Sequence, residues 1–242
     1  MMPLWIGLIF FAAAFVQGLS GFGSALVAMP LLLPLLGSKG AAPLMALVAM
    51  PMQVILLVRY RRSLSLEAVW RLVVASVVMI PAGVFLAGVV PERVVFGVLG
   101  GVLIGYALYA LADLKLPAIT HAGWAYAAGA AAGVLGGAYN TDGPPVVVYG
   151  SCRRWNPLEF KSNLQGVFFV NSVVILGAHA AAGNLTGPVW GHFLAALPAV
   201  AAGAVAGVGL DRFVSATMFR RIMLALLLVL GVRLACRVVF GM

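Results

Sequence analysis

Apolar residues fill this chain in eight long stretches, 3–36, 41–58, 66–90, 94–112, 118–150, 160–182, 189–210 and 222–240, set apart by short polar punctuation. The punctuation is basic or turn-forming: Arg59-Tyr60-Arg61-Arg62-Ser63, Pro91-Glu92-Arg93, Asp113-Leu114-Lys115, the segment 153–161, and Asp211-Arg212. No stretch alternates with the period of two that marks a half-buried strand. In a bilayer a spanning helix takes roughly 20 mostly apolar residues, and an open sheet edge finds no partner for its backbone. The pattern predicts an all-α polytopic membrane protein.

Composition removes the rival classes. Of the 242 residues 64% are hydrophobic and 9% charged, against about a quarter charged in an ordinary soluble domain. The chain therefore lacks the polar side chains to cover a water-facing surface. Two cysteines are too few for a disulfide scaffold; Cys152 stands beside Arg153 and Cys236 inside the last apolar stretch. A net charge of +9 would suit nucleic acid in a soluble protein. Here the bases cluster between spans, as cytoplasmic loops do, so the lipid bilayer is the expected partner and nucleic acid is not. The N-terminus has no basic leader and stays apolar as far as position 36, which argues against a cleavable signal sequence.

The stretches also repeat in length: a long one interrupted by glycines, then three of ordinary length, twice over. At an offset of 119–120 positions Gly18 falls on Gly137, Val27 on Val146, Val69-Trp70 on Val189-Trp190, Ala82-Gly83 on Ala202-Gly203 and Arg93 on Arg212. This predicts two repeats, 1–116 and 117–242, in one integral membrane domain. Charge orients them. If each long stretch crosses once, the twelve loop bases divide 4 to 8 between the faces. If each turns back at its glycines as a re-entrant hairpin, Arg59, Arg61, Arg62, Lys115, Arg153, Arg154, Lys161, Arg212, Arg220 and Arg221 share one face against Lys39 and Arg93. That 10 to 2 division obeys the positive-inside rule, with the basic loops cytoplasmic and both termini outside. Three full spans per half invert the second repeat relative to the first. The expected architecture is two inverted repeats, each a glycine-broken, hairpin-like helix plus three transmembrane helices. Many secondary transporters place their substrate site at the midplane of such a pair.

The two breaks hold the candidate chemistry. The first reads Gln17-Gly18-Leu19-Ser20-Gly21-Phe22-Gly23-Ser24, the second Gly136-Gly137-Ala138-Tyr139-Asn140-Thr141-Asp142-Gly143-Pro144-Pro145. Capping residue types and an early proline predict new half-helices starting near Ser24 and Pro144. A helix start carries unpaired N–H groups and roughly half a positive charge, which suits an anion. Ser20, Gly21, Gly23, Ser24, Asn140, Thr141, Gly143 and Pro144 are therefore the candidate binding residues for a small anionic solute. The alternative for the glycines is close helix packing. Asp142 is the only acid well inside an apolar stretch; it either takes part in coupling or caps the half-helix. Gln53, Asn163, Gln165 and Asn171 lie on the helices that follow the breaks, either lining a pathway or tying helices together. Lys161 with Arg153-Arg154 forms either an anion funnel or a topology anchor, and Trp70, Trp155 and Trp190 read as interfacial anchors. The three His and two Cys have no metal-ligand spacing, no Walker-type loop occurs, and no cofactor is expected.

Gly18-Leu19-Ser20-Gly21-Phe22-Gly23-Ser24, with Pro30 following, and the stretch Gly136 to Tyr149 resemble the TauE/SafE family of sulfite exporter-like membrane proteins. The resemblance extends over the whole chain in length and duplicated organisation. It implies a bacterial inner-membrane carrier, not an enzyme, that mostly exports sulfur-containing anions such as sulfite, sulfoacetate or other organosulfonates. Export of an anion from a negative interior gains roughly 2.3 kcal/mol per charge per 100 mV, so the membrane potential alone suffices for it and Asp142 need not couple protons. Proton coupling is the alternative, and uptake would require coupling. Two rivals stand beside this reading. Gly18-Leu19-Ser20-Gly21 also matches the short pattern around the nucleophile of rhomboid-type intramembrane serine proteases, which need a histidine within reach of Ser20. An anion channel would need a continuous polar lining. Oligomeric state stays open, a homo-oligomer included.

Overall fold

The computed structural model describes residues 2–112, 117–210 and 216–240. Asp113, Lys115, Asp211 and Arg212, used above to count charges, lie outside them, as do the side chains of Arg220 and Arg221. The elements run α1 (Met2–Ser20), α2 (Ser24–Tyr60), a 3-10 turn (Arg61–Ser63), α3 (Leu66–Val89), α4 (Glu92–Leu111), α5 (Gly123–Tyr139), α6 (Gly143–Cys152), α7 (Pro157–Ala181), α8 (Gly187–Leu210) and α9 (Ala216–Phe240). No strand occurs among the described residues. The chain is an all-α polytopic membrane protein.

Each long stretch splits where the sequence places its break. Stretch 3–36 becomes α1 and the first part of α2; stretch 118–150 becomes α5 and α6. Between the stretches ending at 36 and starting at 41 the helix is interrupted: Gly37 is non-helical (φ 67°, ψ 175°), and α2 is two helical segments joined across this kink. Two helices begin on side-chain caps. Ser65 Oγ accepts from Ala68 N at 3.3 Å to start α3, and Asn156 Oδ1 accepts from Glu159 N at 3.0 Å to start α7, with Pro157 in the first turn.

Among the described residues five helices are long and apolar enough to cross a membrane: α2 with its following turn, α3, α4, α7 and α8. At 1.5 Å per residue the 24 residues of α3 span about 36 Å, more than the roughly 30 Å hydrocarbon core. Their outer faces are apolar, as with Val78 and Phe85 on α3 and Leu194 and Val205 on α8, all at least 60% exposed to surroundings that lipid fills.

The core is organised by crossings between the two halves of the sequence. The most extensive contacts are α3 on α5 and α1 on α8, then α4 on α9 and α2 on α7. Glycines set the first two. A Cβ on Gly137 would strike the Ile80 carbonyl and the Val84 amide of α3, and a Cβ on Gly18 would strike the Ala204 carbonyl and Val208 amide of α8. Backbone thus lies directly on backbone, the close approach that stabilises helix pairs in lipid. Gly18 and Gly137 have this packing role; the glycines nearer the breaks have another.

Candidate functional site

Both breaks close their preceding helix in the same way. Gly21 (φ 81°) and Asn140 (φ 54°) adopt the left-handed conformation. Gly21 N–H donates to Gln17 O at 2.8 Å, and Asn140 N–H to Gly136 O at 2.7 Å. Both pairs of positions stand 119 apart, the offset that aligns Gly18 with Gly137. The next steps differ. Gly23 turns left-handed (φ 98°) to start α2, whereas Asp142 starts α6 in right-handed geometry (φ −70°).

Between the breaks lies a small polar cavity of about 30 Å³, room for one or two water molecules. Gly23 and Ser24 line it from the first break, and Asn140, Thr141, Asp142 and Gly143 from the second. Gln53 reaches it from α2. Ser20, Gly21, Pro144, Gln165 and Asn171 stand off its wall. The Ser20 hydroxyl is held by its own helix end, 2.8 Å from Val16 O and 2.6 Å from Phe22 O. Pro144 faces away, into a larger apolar cavity of about 640 Å³ shared with Tyr106, Trp124 and Tyr149.

The helix starts contribute unequally. At α2 the N–H groups of Ser24, Ala25 and Leu26 have no carbonyl one turn back in the helix, and all three residues line the cavity. At α6 Pro144 and Pro145 carry no N–H, which leaves Gly143 as the backbone donor of the first turn. Side chains make up the second wall instead.

α7 and α2 hold the breaks in place. Gln165 Nε2 donates to the Gly21 carbonyl, and Asn171 Nδ2 donates to Asp142 Oδ2 at 2.7 Å. Phe168 lies between them on the same face of α7 and closes the cavity with Phe22. From α2, Ala42 O accepts from Asn140 Nδ2 at 2.9 Å. Asn163 Oδ1 accepts from Ser65 N at 2.9 Å and Ser162 donates to Tyr60 O, which fixes α7 to the end of α2. Asn163 and Gln165 therefore tie elements together, while Gln53 lines the cavity. Asp142 makes no side-chain cap on α6.

Four polar or aromatic liners are not among the candidate binding residues: Gln17 and Phe22, both within the first break, and Phe168 and Ser172. Gln17 is a lone amide inside an apolar stretch, and Ser172 stands 119 positions from Gln53, so both carried a signal. Phe168 carried none. Gln17 and Gln53 are 1% and 7% exposed, and the side-chain oxygen of each is buried without a donor.

Arg153 and Lys161 have local partners. Arg153 donates to Ile119 O at 3.1 Å, and Lys161 Nζ lies 5.6 Å from the centre of the Tyr60 ring. Trp70 and Trp190 are exposed near helix starts, while Trp155 packs on Tyr149 and Phe160. Cys152 and Cys236 are free. Among the described residues no hydrogen bond joins Ser20 to a histidine; His179 pairs with Asn184 at 3.0 Å and His121 accepts from Gly123 N.

No curated protein and no solved structure matches this chain. The family model described as sulfite exporter TauE/SafE matches residues 6–234, nearly the whole sequence and both breaks. With broken apolar helices converging on a buried polar cavity, the chain belongs to the TauE/SafE sulfite exporter family of membrane transporters.

Proposed function

We propose that this protein is a secondary transporter that exports a small sulfur-containing anion, sulfite, sulfoacetate or another organosulfonate, across the bacterial inner membrane. The anion binds midway across the bilayer, between the starts of α2 and α6. The observation that carries this reading is the convergence of two chain breaks, 119 residues apart, on one polar cavity. Unpaired N–H groups of Ser24, Ala25 and Leu26 supply donors without a counter-charge, and the hydroxyls of Ser24 and Thr141 and the amide of Asn140 complete the set. The repeats 1–116 and 117–242 are inverted relative to one another. Support comes from the identical closure at Gly21 and Asn140 and from the reciprocal pairing of α1 with α8 and α5 with α3. Basic loops face the cytoplasm and both termini face outside.

A cavity of about 30 Å³ is too small for an oxyanion with its ligands, so the site widens to load. The joints available are Gly21, Gly23 and Gly37, each at positive φ. Flux of radiolabelled sulfite, sulfate, thiosulfate and small sulfonates into proteoliposomes tests the reading. Saturable flux of at least one, competed by the others, is the expected result. A folded, reconstituted protein that moves none of them overturns it.

A further inference from the structure

The cavity is walled by helix starts that attract an anion, yet it contains a carboxylate. Asp142 lines the same cavity as the Ser24, Ala25 and Leu26 donors, so an ionised Asp142 would face the anion those donors hold. Among the described residues no cationic side chain lines the cavity to separate them. We infer that Asp142 takes up a proton for each anion bound, so that the protein is a proton–anion symporter whose cycle moves no net charge when the solute is a monoanion. This rests on the proposed anion site.

Two further observations support the assignment. The carboxylate is not used as a helix cap; Asn171 Nδ2 holds one of its oxygens at 2.7 Å. A protonated carboxyl becomes a donor and needs an acceptor. Gln17 and Gln53, both more than nine-tenths buried and both lining the cavity, have side-chain oxygens without a donor, as does Asn171. Among the described residues no other ionisable side chain lines the cavity. α1 carries no ionisable side chain. Lys39 and Arg59 on α2, Glu67 and Arg71 on α3, and Glu159 and Lys161 on α7 stand off the cavity wall, as do Tyr139, Tyr149 and His179. The proton bonds to the Asp142 carboxylate on the loading side. On the far side that O–H bond breaks, and the proton leaves to water with the anion. An alkaline interior then opposes export by about tenfold in anion ratio per pH unit for one proton per anion. Export proceeds where the anion gradient exceeds that.

The test uses proteoliposomes and labelled methanesulfonate, a monoanion that does not titrate between pH 5 and 8, with labelled sulfite in parallel. A one-unit pH gradient is expected to drive about tenfold accumulation of methanesulfonate, with a valinomycin-set potential having no effect. Asp142→Asn is expected to reverse both responses, to flux that follows potential and ignores pH. For sulfite the difference between wild type and Asp142→Asn in response to potential decides. Wild-type flux that follows potential and ignores pH overturns the inference and leaves the anion site standing. A sodium gradient that replaces the pH gradient overturns the proton. Absence of flux for both anions removes the anion site itself. The wild-type measurements stand even where the variant fails to fold.

Discussion

Asn140 offers a sharp test of how the second break is held. Its side chain donates to Ala42 O at 2.9 Å, and its backbone is left-handed at φ 54°. Asn140→Gly keeps the conformation and removes the bond, while the Ala42 carbonyl, inside α2, keeps its place in the helix ladder. A single intramolecular hydrogen bond contributes about 0.5–1.5 kcal/mol. Asn140→Ala loses the same bond and adds a Cβ in left-handed geometry, about 1–2 kcal/mol, partly offset by alanine's smaller unfolded-state entropy of about 0.4–1. The expected order is wild type, then glycine, then alanine, with about 0.5–1.5 kcal/mol in the first step and roughly 1 in the second. Denaturation of the purified protein in mixed micelles by increasing SDS reads both steps. Equal stability of the two variants would refute the left-handed assignment at 140. A glycine variant as stable as wild type would refute the bond to Ala42.

Other outcomes follow from the same geometry. Gly143→Leu is expected to abolish anion flux while leaving the protein inserted, because its Cβ already meets Phe22 and Phe168 at 3.7 and 3.9 Å and the rest of the side chain fills the cavity; normal insertion by protease protection, with flux unchanged, would count against a site there. Gly137→Ala should lower SDS resistance by about 1–3 kcal/mol through the clash with the Ile80 carbonyl, whereas Gly101→Ala, with open space around it, should be neutral or stabilising by up to about 1 kcal/mol. In a background lacking Cys152 and Cys236, single cysteines at Lys39 and Leu158, both exposed, should label from opposite faces if each broken stretch is a hairpin; labelling from the same face would support single crossings.

The spans and their breaks were legible because lipid punishes unpaired backbone and charge, so polar punctuation marks every turn. Ser24 and Pro144 announced new helix starts by residue type alone. Side-chain direction was not legible. α1 is apolar on all faces, so nothing in its pattern distinguishes the side that carries Gln17 to the cavity from the side that meets lipid. Ser20 read as a donor to a solute, but at a helix end its hydroxyl finds backbone carbonyls closer at hand. The pairing of α1 with α8 and of α3 with α5 was equally silent, since in lipid a packed face and an exposed face are both apolar. Only glycines such as Gly18, Gly137 and Gly203 hint at it, and they do not name their partners.

The pairing of the first helix with the eighth also bears on biogenesis. α1 finds its seat only after residues near 207 have left the ribosome, because Gly18 rests against Gly207. Until then the opened chain around Phe22, with Gln17 beside it, waits in the bilayer or at the insertion machinery without its partner. Truncation before α8 should therefore leave a fragment that quality-control proteases remove, however well its remaining helices insert.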